Sequence, residues 1–181
     1  MSKKKRNVLV VVDYQNDFVD GSLGFKGAEL LDKGISNRIK EFLDRGDLVV
    51  FTKDTHNKNY LETQEGKFLP IEHCIYGTEG HNLYGKTGGW ESKEGTAVVE
   101  KPTFGSETLG YVINYNLDAD LGYIEMCGLV TNICVISNAI VLQTYFENPK
   151  IKINSKLCAS NDIKMHEAAL SVMKGLGMEI I

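Results

Sequence analysis

Val8-Leu9-Val10-Val11-Val12-Asp13-Tyr14-Gln15 is the stretch on which the fold turns. Five apolar residues, most of them β-branched, give way at once to a carboxylate. A strand with one wet face alternates apolar and polar residues. An unbroken run belongs to a strand covered on both faces, as in a parallel sheet between helices. Beyond a loop carrying Gly21, Gly24 and Gly27, the residues Leu30, Leu31, Ile35, Ile39, Phe42 and Leu43 recur at helical spacing. Gly46 is placed to end that helix. Leu48 to Phe51 then predicts a second buried strand, running into Thr52-Lys53-Asp54. Strand, helix and strand in succession form a βαβ unit, whose crossover is right-handed.

The same alternation continues after an interruption. Thr55 to Glu94 shows neither period, and an aperiodic insert of that length is often functional. Thr96 to Glu100 predicts a strand ending at Lys101, and Glu107 to Tyr115 a short helix. Tyr123 to Cys127 predicts a strand followed by the turn Gly128-Leu129-Val130-Thr131. Asn132 is expected to cap a largely buried helix running to about Phe146. Ile151 to Leu157 reads as a weaker strand, His166 to Leu176 as a helix stopped by Gly177, and Met178 to Ile181 as a last strand. The expected fold is a three-layer α/β structure, an open and mostly parallel sheet of about six strands flanked by helices. With no repeat, low-complexity tract or proline-rich linker, 1–181 reads as a single domain.

Composition narrows the function classes. The 181 residues are 43% hydrophobic and 24% charged, with a formal net charge of −4. That balance supports a sizeable core and offers no basic field for nucleic acid. No apolar run is long enough to span a membrane. The basic start from Met1 to Asn7 leads into an apolar run too short for a signal peptide, so the chain is expected in the cytoplasm. Cys74, Cys127, Cys134 and Cys158 are widely spaced and read as reduced thiols there.

Ligands of open α/β sheets bind beyond the carboxyl ends of the strands. Asp13, Lys101 and Cys134 all fall at such ends. A free thiol, with a pKa of about 8.5, is only a few per cent thiolate at neutral pH. A helix N-terminus and a nearby ammonium favour the thiolate, and a carboxylate can take the proton. Each residue alone has an ordinary explanation: a strand-end aspartate, a surface lysine, an inert buried thiol. Their coincidence at matching strand ends favours a cysteine nucleophile.

A second constellation is Asp54-x-His56 with His73 downstream. Residues i and i+2 of an extended segment share a face. Two imidazoles and a carboxylate suit zinc, iron or manganese and leave positions open. Glu62, Glu65 and Glu72 are candidates for a further ligand, whereas His81 and His166 fit no such pattern and are expected at the surface.

These residues, in this order, resemble the isochorismatase-like cysteine hydrolases, and within them the nicotinamidases. Val11 to Phe18 resembles the opening strand and its D-x-Q-x-D-F signature, Lys101 the lysine of the third strand, and Gly128 to Cys134 the nucleophile turn G-x-x-T-x-x-C. The resemblance implies Asp13, Lys101 and Cys134 as catalytic triad. It also implies a cis bond between Leu129 and Val130, and an oxyanion hole from the backbone of Val130 and Cys134. It further implies Asp54, His56 and His73 as metal ligands with Glu65 as an additional carboxylate, and zinc as the first choice of ion. Phe18 would line the ring pocket and Phe104 would stack on the substrate. The implied substrate is a small amide, nicotinamide first and another amide or carbamoyl compound second, and similar proteins commonly self-associate into homo-oligomers. Phe68-Leu69 stands where many nicotinamidases carry a tryptophan. A reading from another class is a catalytically silent metal- or ligand-binding domain with Cys134 buried.

Overall fold

The computed structural model describes residues 5–147 and 149–181, so the first part of the basic start, Met1 to Lys4, lies outside the described residues. Six strands form one sheet: β1 (Lys5–Val12), β2 (Leu48–Asp54), β3 (Thr96–Lys101), β4 (Asp120–Leu129), β5 (Ile151–Ala159) and β6 (Glu179–Ile180). Seven α-helices accompany them: α1 (Asn16–Val19), α2 (Asp32–Asp44), α3 (Gln64–Phe68), α4 (Gly85–Gly88), α5 (Leu109–Leu117), α6 (Ile136–Tyr145) and α7 (Ile163–Gly175). The spatial order is β3-β2-β1-β4-β5-β6, and every pairing is parallel.

Val8 to Val12 is fully buried at the centre of this sheet, as its unbroken apolar run requires. In α2 the buried positions Ile35, Ile39 and Phe42 fall on one stripe facing the sheet. The aperiodic insert contains only single turns of helix between β2 and β3. Strand order reverses on either side of β1, which opens a crevice between the carboxyl ends of β1 and β4. Among the described residues no helix is long and apolar enough to cross a membrane.

Two sequence expectations need correction. Asn132 does not cap a helix. Val130 is the capping residue, and Thr131–Val135 winds as a π-turn before α6 begins. The backbone N–H groups of Ile133 and Val135 both reach the carbonyl of Val130, which widens that first turn. The helix is also not largely buried, because Ile140 and Tyr145 are exposed along one side. Its buried side carries Asn138, Ala139 and Leu142.

Gly128 shows why β4 can approach β1 so closely. Its φ is +115°, and a Cβ there would stand 2.1 Å from the carbonyl oxygen of Val12. Backbone atoms cannot yield as a side chain would. Gly128→Ala is expected to cost more than about 3 kcal/mol of folding stability, measured by urea denaturation. A loss within about 0.5 kcal/mol, typical of an unconstrained surface site, would contradict the argument.

Candidate active site

Asp13 leaves the end of β1 with a φ of +44°, a left-handed turn that aspartate tolerates better than most residues. The turn directs a fully buried carboxylate into the crevice. Thr52 Oγ1 on β2 donates to Asp13 Oδ1 at 2.6 Å. Lys101, the last residue of β3, brings Nζ to 2.6 Å from Asp13 Oδ2, 3.5 Å from Asp54 Oδ1 and 3.7 Å from Cys134 Sγ. It also donates to the carbonyl of Thr103 at 3.0 Å. The lysine read as one of three strand-end residues is thus 1% exposed and ringed by acceptors.

The electrostatics follow from burial and these neighbours. Loss of water raises the Asp13 carboxyl above its ordinary range, against the opposing pull of Lys101. Burial works to lower Lys101, but the Asp13 carboxylate and the facing thiol and Asp54 hold it up, so it stays an ammonium. Burial, and then the Asp13 charge, push the Cys134 thiol well up. The 2.6 Å contact pairs the Lys101 ammonium with the Asp13 carboxylate, and the Cys134 they face is held toward the thiol. Burial also raises Cys74, Cys127 and Cys158, the last to about 12. Among the described residues, none of these three has a lysine within its hydrogen-bonding contacts.

The turn that carries Cys134 is held from several sides. The Leu129–Val130 peptide is cis. Asn138, fully buried on α6, donates to the carbonyls of Cys134 at 2.8 Å and Phe104 at 3.1 Å, and accepts from the N–H of Ser106. It ties the segment after Lys101 to the turn that carries the thiol.

The second constellation converges beside the first. Asp54 Oδ2 lies 3.0 Å from His56 Nε2 and 3.3 Å from His73 Nε2, and Glu65 Oε1 lies 3.8 Å from both imidazole nitrogens. One donor atom from each of the four residues falls within 4.8 Å of all the others. His73 Nδ1 is 2.8 Å from the carbonyl of Ile71, so it carries a proton, and Nε2 is turned toward the cluster. Although burial opposes it, hydrogen bonds from both histidines, with Lys101 nearby, hold Asp54 well below the usual carboxylate range. Two imidazoles and two carboxylates form a donor set that fits zinc, iron or manganese. Glu62 and Glu72 are exposed and take no part.

Cys134 of the first cluster and Asp54, Glu65 and His73 of the second line one cavity of about 220 Å³, together with Phe18, Phe68, Phe104 and Val130 among others. Phe18 and Phe104, read as substrate contacts, therefore both reach it, and Phe18 packs 5.5 Å from the His73 ring. Val130 lines the cavity, while Leu129 is fully buried behind it.

Gln15 is a functional residue that sequence reasoning missed. It is fully buried; its Oε1 accepts from the N–H of Asp54 at 2.7 Å, and its Nε2 donates to the carbonyls of Asp54 and His81 at 2.9 Å each. One amide thus locks the Asp54 backbone to the strand that carries Asp13. The expectation of a surface His81 is wrong for a related reason. Its carbonyl is part of this lock, its ring reaches Thr55 Oγ1 at 2.9 Å, and it is 4% exposed. His166 is half-buried rather than exposed, against Thr131. The advance signal was the glutamine of the D-x-Q-x-D-F signature, two residues beyond Asp13, to which the sequence reading attached no role.

Comparison with known proteins agrees with this architecture. The family model described as "Isochorismatase domain" matches residues 7–181. The "Uncharacterized isochorismatase family protein PncA" of Bacillus subtilis (strain 168) is 32% identical over 175 residues, covering 92% of this chain and 93% of that protein. The crystal structure of nicotinamidase/pyrazinamidase PncA from Bacillus subtilis superposes with a TM-score of 0.84 at 27% identity, over 97% of this chain and 98% of that one. The pyrazinamidase of Pyrococcus horikoshii, solved in complex with zinc, shares the fold at 22% identity and a TM-score of 0.83, over 97% of this chain and 98% of its own.

Equilibrium dialysis of this chain against zinc is expected to give one bound ion, lost when His56 and His73 are both changed to alanine. Gln15→Ala should weaken binding about tenfold or more, the usual effect of removing a group that orients ligands. Unchanged affinity in Gln15→Ala would remove its role in setting Asp54.

Proposed function

The chain belongs to the isochorismatase family, and from that premise we propose that it is a metal-assisted cysteine amidohydrolase that converts nicotinamide and water to nicotinate and ammonia. The observation that carries the reading is that Cys134 of the Asp13–Lys101–Cys134 trio lines one small cavity with Asp54, Glu65 and His73 of the Asp54–His56–Glu65–His73 set. Its volume of about 220 Å³ is below the ~300–1,000 Å³ of sites for drug-sized ligands. It suits a single ring with a short substituent. The apolar walls from Phe18, Phe68 and Phe104 suit an aromatic ring, and the nicotinamidase/pyrazinamidase relative acts on substrates of that kind by name.

The chemistry follows from the charges. The Cys134 proton passes to Asp13, whose raised basicity suits it to accept. Lys101 faces an anion before the transfer, the carboxylate, and an anion after it, the thiolate, so no net charge is created in the buried site. The thiolate attacks the amide carbonyl carbon. The N–H groups of Val130 and Cys134 stabilise the oxygen that becomes negative, and removing one such donor typically costs about 3 kcal/mol. Asp13 returns the proton to the departing nitrogen, and ammonia leaves a Cys134 thioester. Water, deprotonated by Asp13, then attacks the thioester and regenerates the thiol.

Asp54, His56, His73 and Glu65 would hold the divalent ion, zinc by the donor set with iron or manganese as alternatives. When bound, the ion supplies a Lewis-acidic contact for the ring nitrogen of the substrate. His73, packed against Phe18, also walls the cavity around the ring and limits its rotation.

An ammonia-release assay on nicotinamide, with zinc, iron or manganese supplied, tests the reading. Activity should fall more than about a thousandfold in Cys134→Ala. A chelator should reduce it, and added metal should restore it. Full activity in Cys134→Ala would refute the nucleophile. Hydrolysis of other small amides but not of nicotinamide would refute the substrate.

A further inference from the structure

Thr131 stands three residues before the thiol and is fully buried, yet its hydroxyl is shared between two other elements. It lies 3.0 Å from the carbonyl oxygen of Ala159, at the end of β5, and 2.8 Å from Nδ1 of His166, in the first turns of α7. A hydroxyl has one hydrogen to give, and the Ala159 carbonyl can only accept. The hydrogen of Thr131 therefore goes to Ala159, and Nδ1–H of His166 donates to Thr131 Oγ1. The imidazole proton is placed on Nδ1 by this count alone.

We infer that His166 is a positioning residue for the reaction. Acting through Thr131, it fixes the turn that presents Cys134 and the N–H groups of Val130 and Cys134. It rests on the reading of Cys134 as nucleophile given above. The base of this strut is rigid. Asp162 caps α7 by accepting from the N–H groups of Lys164 and Met165, and its carbonyl accepts from the His166 N–H at 2.9 Å. The same helix start matters to the site directly, because Asn161 lines the cavity beside Val130, Ile133 and Cys134. The turn is irregular and leans on its neighbours, Asn138 among them. Its widened first turn leaves Val130 O as a shared acceptor, and the strut from α7 through Thr131 to β5 restrains it from the opposite end.

A purely structural histidine would affect folding and leave the rate constants of the folded enzyme alone. A positioning histidine affects the chemical step. In the full chain, His166→Phe removes the donor at similar bulk. His166→Asn keeps one, since its amide nitrogen falls close to where Nδ1 lies. In His166→Phe, kcat for ammonia release should fall on the order of tenfold with KM within about twofold, short of the ~hundredfold cost of a full ångström of misplacement. Alkylation of Cys134 by iodoacetamide should slow in parallel, as Sγ drifts from the Lys101 ammonium. His166→Asn should recover both, and Thr131→Val should match His166→Phe, with no further loss in the double variant. Unchanged kcat and alkylation in His166→Phe would overturn the inference. So would a loss that His166→Asn fails to restore, or losses that multiply in the double variant. The alkylation rates read the turn without any substrate. A wild type inert toward nicotinamide would thus refute the proposed activity while leaving this test in place.

Discussion

A lysine ammonium 2.6 Å from an aspartate carboxylate, both withdrawn from water, is the constraint on which the rest of the site depends. Charges in such a place are tolerated only when paired and well surrounded. Asp13 and Lys101 end strands that are not neighbours, because β2 lies between β1 and β3. The pair forms only if that strand order holds, and Nζ also reaches Asp54 at the end of the intervening strand. One ammonium thus gathers the carboxyl ends of three adjacent strands, and Cys134 approaches it from beyond β4.

This arrangement explains why the two constellations are one site. Asp54 faces the histidines with one carboxylate oxygen and Lys101 with the other. Gln15 holds its backbone from the β1 side. A shift in Asp54 would therefore disturb the trio and the candidate metal ligands together. The low basicity of Asp54 and the raised basicity of Asp13, two carboxylates at the ends of neighbouring strands, come from the different surroundings each meets. One stays ionised and the other is suited to accept a proton.

Much of this could be read from residues in order. The run from Val8 to Val12 announced a central parallel strand, and abrupt strand ends located Asp13, Asp54 and Lys101, because β-branched runs and polar punctuation are local signals. Asp54, His56 and His73 were visible as ligand types at suitable spacing, and the structure selected Glu65 over Glu62 and Glu72 by folding only its side chain inward. The buried supports were not legible. Gln15, Asn138, Thr131 and His166 owe their positions to partners 28 to 39 residues away or more, or to a backbone carbonyl that no sequence pattern marks. The expected cap at Asn132 failed because a wider turn leaves no periodic trace in five residues. His81 was taken for a surface residue because its contacts lie across the aperiodic insert.

The central claim is that the Cys134 thiol becomes covalently attached to the acyl part of its substrate. Rapid acid quenching of the metal-loaded enzyme during turnover of nicotinamide, followed by peptide mass spectrometry, tests it most directly. A nicotinoyl group is expected on the Cys134 peptide and none on the peptides holding Cys74, Cys127 or Cys158. Sustained ammonia release with no acyl group on the Cys134 peptide, or with the group on another cysteine, would contradict it.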